Sequence, residues 1–61
     1  MAEVDLTIFA EIARFQGEQF VATGKALFES GLFSQGARFI ASGSALLVVA
    51  QVVEDAAKKE G

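Results

Sequence analysis

Residues 17–43 read GEQFVATGKALFESGLFSQGARFIASG and hold five of the six glycines in the chain. Three of them, Gly17, Gly24 and Gly31, are seven residues apart, and Gly36 and Gly43 repeat this spacing. Seven residues make two turns of an α-helix, so residues at this spacing lie along one side of a helix. Glycine inside a helix costs about 1 kcal/mol relative to alanine, so a regular series of glycines indicates that two helix backbones approach closely.

Alanine continues both glycine series outward at the same spacing. The complete ladder of small residues consists of Ala10, Gly17, Gly24, Gly31, Gly36, Gly43, Ala50 and Ala57. If the chain reverses between Phe33 and Ser34, one antiparallel register pairs all of them. This register joins Gly31 to Gly36, Gly24 to Gly43, Gly17 to Ala50 and Ala10 to Ala57. We therefore predict an all-α fold, an antiparallel two-helix hairpin in which the ladder forms the helix–helix contact.

The expected boundaries of the two helices follow from local signals. The chain contains no proline, and helix-forming residues recur along it. We expect helix one at about 4–30, a turn at about 31–34 and helix two at about 35–59, so that residues 1–61 form a single hairpin domain. Gly31 is expected to follow the end of helix one, and Ser34 to cap the start of helix two.

The apolar surface of the predicted hairpin is wider than two helices can cover. Beyond its N-terminus, helix one carries its charges on a stripe that comprises Thr7, Glu11, Arg14, Glu18, Lys25 and Glu29. Helix two has no charge over residues 39–53 and is apolar on every side, as is typical of a helix buried in an oligomer or a membrane. We therefore predict that oligomerisation completes the core. The candidate residues of the oligomer interface are Phe9, Phe20, Phe28, Leu46 and Val49.

The two predicted helices also share a sequence pattern. Residues 16–27 match residues 35–46 at an offset of nineteen, with the consensus Q-G-x-x-F-[VI]-A-[ST]-G-x-A-L. Similar surfaces would let either helix dock on copies of the other in neighbouring subunits. This arrangement suits heterologous assembly into rings or filaments.

The composition argues against several functional classes. Histidine and cysteine are absent, so disulfide bonds, the usual zinc ligands and imidazole acid–base catalysis are not expected. Five basic and eight acidic residues leave a net charge of −3 without a basic cluster, which argues against binding to nucleic acid. The glycines do not form a phosphate-binding loop. We predict no catalytic, metal-binding or cofactor-binding residues, and no enzymatic activity.

Two other interpretations of the apolar surface stay open. One is an accessory subunit embedded in a membrane or a larger membrane complex, and the other is a small helical adaptor or regulator. The uncharged residues 39–53 fall short of the roughly 20 needed to cross a bilayer, and the chain lacks the Trp and Tyr common at membrane surfaces. Residues 1–5 do not begin a signal peptide, so we expect a chain made in the cytoplasm that stays there or associates with a membrane.

Residues 20–43 resemble one tetratricopeptide helix pair. The resemblance lies in the spacing of Phe20, Gly24, Leu27, Phe28, Gly31, Phe33, Gly36 and Gly43. It implies a close helix–turn–helix unit, but the closing proline is absent, so peptide binding is not carried over. In outline the chain also resembles the two-helix subunits of secretion needles and conjugative pili. We predict a structural, self-assembling hairpin whose partner is itself, in a homo-oligomeric bundle or a pilus- or needle-like filament.

Overall fold

The computed structural model describes residues 5–60, which form two α-helices joined by a three-residue connection. Helix α1 spans Leu6–Glu29 and helix α2 spans Phe33–Glu60. The two helices pack against each other along the hairpin, which confirms the predicted all-helical, two-helix architecture. Helix α2 begins two residues before its predicted start, and the predicted start of helix one at residue 4 lies outside the described residues.

Asp5 begins α1 as its N-cap residue. Its carboxylate accepts hydrogen bonds from the backbone N–H groups of Thr7 (3.0 Å) and Ile8 (3.3 Å). These two N–H groups have no carbonyl partner within the helix, so the cap satisfies them. The carboxylate also places negative charge at the positive end of the helix dipole, which adds to the stability of the first turn.

Gly31 ends α1 in a left-handed conformation, with a φ of 90°. The Gly31 N–H donates to the carbonyl of Phe28 (3.1 Å), and the Leu32 N–H donates to the carbonyl of Leu27 (2.9 Å). Together these bonds form a Schellman motif, in which Gly31 is the first residue beyond the C-cap, as predicted. Glycine suits this position because it has no β-carbon to clash in the left-handed region.

Three other predictions about this region are wrong: the N-cap role of Ser34, the place of Gly31 in the helix–helix contact and the position of the chain reversal. Ser34 is not the N-cap of α2 but lies within its first turn, and the Leu32 carbonyl accepts the first helical hydrogen bond. Gly31 is exposed and contributes nothing to the helix–helix contact: beyond its chain neighbours, no atom lies within 4 Å of where its Cβ would be. The Schellman motif reverses the chain at Ser30–Leu32, earlier than the predicted reversal between Phe33 and Ser34.

The hairpin is long, and it is one helix thick. Its Cα atoms span 45 × 21 × 12 Å with a radius of gyration of 14.1 Å, whereas a globular chain of this length has a radius of gyration of about 10.5 Å. The chain exposes 4615 Å² of surface, and a compact monomer of the same mass exposes about 3,800 Å². The hairpin therefore exposes roughly 800 Å² more surface than a compact monomer would.

Replacing Gly31 with alanine should destabilise the hairpin by about 1 kcal/mol, because an L-residue loses about that much energy in the left-handed region. Because the space around the Cβ position is empty, the loss of stability comes from the backbone conformation alone and not from a steric clash. Urea unfolding followed by circular dichroism at fixed protein concentration measures it. Gly31→Asn should lose less, since asparagine adopts this conformation more readily. Equal stability of Gly31→Ala and the wild type would contradict the cap.

Candidate functional site

Only small residues are buried between the helices. Among the described residues, the buried ones are Ala10, Ala13, Gly17, Gly24, Gly36, Gly43 and Ala50. All except Ala13 belong to the predicted ladder. Ala13 lies three residues after Ala10 and four before Gly17, which is the spacing of the second contact position in a heptad and could have revealed it. No large side chain of the described residues is fully buried.

The contact is so close that its glycines have no room for a β-carbon. A Cβ added to Gly24 would lie 2.7 Å from the carbonyl oxygen of Gly36, and one added to Gly36 would lie 2.7 Å from that of Gly24. Gly17 and Gly43 show the same reciprocal relation, at 2.8 and 2.5 Å. At each of these glycines, the Cα–H bond that takes the place of a Cα–Cβ bond therefore points at a carbonyl oxygen of the other helix. Such Cα–H···O contacts are weakly attractive and recur at helix–helix interfaces.

The observed register differs from the predicted one by seven residues. Gly24 lies against Gly36 rather than Gly43, and Gly17 lies against Gly43 rather than Ala50. The early reversal of the chain causes this shift. Because the ladder repeats every seven residues, a slip of seven keeps the same helix faces together. Both registers set small residues against small residues, so the ladder alone does not choose between them.

Ala57 also lies outside the close contact, in addition to Gly31. It is half-buried near the open end of the hairpin, where it lines a shallow groove with Thr7, Glu54 and Lys58. In the observed register the residue opposite Ala57 is residue 3, which is outside the described range. Ala10 and Ala50 are 1% and 0% exposed. The close contact between the helices therefore extends toward the open end of the hairpin as far as these two residues.

The nineteen-residue repeat corresponds to a two-fold relation between the helices. Adding nineteen to Gly17 and Gly24 gives Gly36 and Gly43. A rotation that exchanges the two helices therefore superimposes the contact of Gly17 with Gly43 on the contact of Gly36 with Gly24. Both contacts are present in the structure. The duplicated sequence thus builds one contact twice, on either side of a pseudo-two-fold axis that crosses the hairpin.

The side chains around these glycines are related by the same pseudo-two-fold axis. A Cβ at Gly43 would meet the Val21 side chain at 2.7 Å, and a Cβ at Gly24 would meet the Ile40 side chain at 2.6 Å. Val21 and Ile40 are nineteen residues apart. The repeat therefore extends from the small residues to the branched side chains that flank them.

One broad face of the hairpin, the charged face, carries polar side chains from both helices. Phe28 and Ile40 lie on this face beside Lys25 and Glu29. Its polar residues are Thr7, Glu11, Arg14, Glu18, Lys25 and Glu29 of α1 and Ser44, Gln51, Asp55 and Lys58 of α2. At its edge Arg14 forms an ion pair across the hairpin with Glu54. Both side chains are more than one-third exposed, so the pair contributes little stability. Among the residues that the structure describes, no group of three carboxylates is placed to hold a metal ion.

The opposite broad face, the uncharged face, is formed by residues at three- and four-residue steps on both helices. It consists of Phe9, Ile12, Gln16, Phe20, Thr23 and Leu27 of α1 beside Gln35, Phe39, Ser42, Leu46, Val49 and Val53 of α2. None of these side chains is buried. Phe20 and Phe39 contact each other at its centre, with ring centroids 5.6 Å apart. They are also nineteen residues apart, so they flank the pseudo-two-fold axis.

The predicted interface residues fall mostly on this face. Phe9, Phe20, Leu46 and Val49 belong to it, and none of them is buried. Phe28 does not belong to it. Its ring packs edge-on against Phe33 near the connection, with centroids 5.0 Å apart, on the side of the hairpin that carries Lys25 and Glu29.

Helix α2 is long and apolar enough to cross a membrane, judged by length and composition. Its segment Phe33–Lys59 reaches a mean hydropathy of 1.6, and 17% of the apolar window within it is buried against α1. The prediction that α2 falls short of a span counted only its uncharged residues. A few charges near the ends of a span are tolerated, so that objection does not hold.

Replacing Gly24 with alanine should destabilise the hairpin, although alanine is the better helix former by about 1 kcal/mol. The added carbon would meet the backbone oxygen of Gly36 and the backbone nitrogen of Ile40, which cannot move aside as a side chain does. We expect a loss of about 1–3 kcal/mol in urea unfolding, and a larger loss for Gly24→Leu. The exposed control Glu18→Gln should change stability by less than about 0.5 kcal/mol. Equal tolerance of both changes would contradict the close contact.

The two-fold relation predicts that Gly43→Ala costs the same as Gly24→Ala, within about 0.5 kcal/mol. At each position the new carbon would meet a glycine carbonyl and a β-branched side chain of the other helix. Parallel urea titrations at one protein concentration provide the comparison. If one variant were tolerated and the other unfolded, the two halves of the contact would not be equivalent.

Comparison with protein-family models, with curated proteins and with solved structures gave no match to this chain. The likeness of residues 20–43 to a tetratricopeptide helix pair therefore remains one of spacing. The likeness to needle and pilus subunits remains one of architecture.

Proposed function

We propose that this chain is the subunit of a homo-oligomeric helical assembly and has a structural role. The supporting observation is that small residues alone are buried between the helices, while twelve large apolar side chains of the described residues stay exposed. A contact made of glycine and alanine removes little apolar surface from water. The hairpin alone therefore gains little hydrophobic stabilisation, and association supplies what it lacks.

The amount of surplus surface supports association between proteins. The hairpin exposes roughly 800 Å² more than a compact monomer would. A standard protein–protein interface buries about 800 Å² on each partner. Extended apolar patches are uncommon on proteins that remain monomeric. One interface of ordinary size would therefore bring the exposed surface to the level expected for a compact protein.

The shared pattern of the two helices favours a partner that is another copy of the same chain. Since α1 and α2 present similar residues, a copy can dock on either helix with similar contacts. Such repeated docking builds a closed bundle when the rotation between subunits closes, and a filament when it does not. A pilus- or needle-like filament is one form that this assembly would take.

The properties of α2 favour a second candidate function, an accessory subunit of a membrane complex. Helix α2 has the length and hydropathy of a membrane span, and its outward residues Val48 and Val52 are 63% and 62% exposed. Acyl chains would cover these side chains as well as a second copy would. The charged stripe of α1 would then face another protein or water, because charged groups are costly in hydrocarbon.

The molar mass of the protein in detergent-free buffer should distinguish these two functions. We expect light scattering after size exclusion to give a discrete multiple of 6.4 kDa or a large regular polymer. The unfolding temperature should also rise with protein concentration. Detection should use refractive index, because the chain has no Trp or Tyr. A protein soluble only with detergent would support the membrane subunit, and a stable monomer at all concentrations would contradict self-assembly.

A further inference from the structure

We infer that the uncharged face is where a second copy of this chain docks, forming a four-helix bundle centred on Phe20 and Phe39 of both copies. This inference rests on the self-association proposed above and assigns it to one surface. The broad faces are the natural candidates, because a copy placed there covers both helices at once. The outer edges of the hairpin offer one helix each.

Charge distinguishes the two broad faces. The charged face, with Glu54 at its edge, carries five carboxylates against three basic side chains. Docking of two copies through that face would bring an excess of negative charge together and remove it from water, which is costly. The centre of the uncharged face has no ionisable side chain, and its four polar residues, Gln16, Thr23, Gln35 and Ser42, are neutral. Arg38, three residues after Gln35 and four before Ser42, is exposed at the outer edge of this face. A second copy can therefore cover the centre of this face without burying a charge, while the long Arg38 side chain at the edge keeps its guanidinium in water.

The shape of the uncharged face suits a copy of itself. The pseudo-two-fold axis exchanges Phe20 with Phe39 at its centre. It likewise exchanges Thr23 with Ser42, and Leu27 with Leu46, so near the centre of the face each helix has one small side chain between two large ones. Large residues of one copy can then fill the spaces above the small residues of the other, as in coiled-coil packing.

The internal symmetry also fixes what lies at the centre of the bundle. Turning a copy by half a turn about the pseudo-axis presents nearly the same residues. The two-fold axis of the dimer can therefore lie in the interface either parallel or perpendicular to the helices, and the two resulting dimers have equivalent packing. In both arrangements stacked helices are antiparallel, as in most four-helix bundles. Both arrangements also bring the four rings of Phe20 and Phe39 into one central layer.

A matched pair of serines tests which face carries the contact. Ser42 lies on the uncharged face and Ser44 on the charged face, and both are exposed residues of α2. The chain has no cysteine, so Ser42→Cys or Ser44→Cys introduces a single thiol. With a short bismaleimide in detergent-free buffer, we expect Ser42→Cys to form covalent dimers at least 10-fold faster than Ser44→Cys. Equal rates, or faster cross-linking at Ser44→Cys, would overturn the assignment.

A matched pair of phenylalanines tests the central layer. Phe39→Ser and Phe33→Ser each remove one aromatic pair within the hairpin, but Phe39 alone belongs to the uncharged face. Sedimentation equilibrium should show the dissociation constant rising about 100-fold for Phe39→Ser and less than about 5-fold for Phe33→Ser. Circular dichroism of both variants measures the helix that each retains. Equal weakening by the two substitutions would overturn the central layer.

The outcomes separate this inference from the proposed function. Self-association that persists in Phe39→Ser, with cross-linking through Ser44→Cys, would overturn the chosen face and leave self-assembly standing. Absence of any association in the wild type would overturn both. A polarity-sensitive dye on Ser42→Cys should report an apolar environment in buffer alone. If it did so only after phosphatidylcholine vesicles were added, lipid rather than a second copy would cover this face.

Discussion

The structure depends on the contact between the backbones of Gly17 and Gly43 and of Gly24 and Gly36. Each glycine directs a Cα–H group at a carbonyl of the opposite helix, and no side chain separates the helices at these points. Larger residues cannot lie between helices held this close, so they are placed on the faces and edges of the hairpin. The constraint that defines the hairpin thus also removes its hydrophobic interior. The exposed aromatic and branched side chains are a direct consequence of it.

The nineteen-residue repeat and the glycine contact support each other. A repeated sequence in two antiparallel helices places the same residues at related points on either side of an axis, and the reciprocal contacts of the four glycines show this relation. Phe20 and Phe39 meet where the axis crosses the uncharged face. The two halves of the hairpin therefore resemble two subunits of a symmetric dimer joined by a short connection.

Much of this arrangement could be predicted from the sequence, because the signals are local or periodic. The spacing of the glycines indicated a close helix pair, and Gly31 was correctly placed beyond the end of α1. The same residue could not also belong to the helix–helix contact, since a left-handed glycine has left the helix. The register could not be predicted, because a periodic ladder accepts a slip of seven residues. The place of Phe28 was missed because its contact with Phe33 depends on where the chain turns.

The three-residue connection has a consequence for how the two helices can move. Since the small residues recur every seven positions, α2 can slide along α1 only in steps of about 10 Å without losing the close approach. The helix surfaces are compatible with more than one register, so the connection Ser30–Leu32 selects the one that is observed. A longer connection would allow the other register. The connection therefore governs how far each helix overhangs the other at the open end of the hairpin.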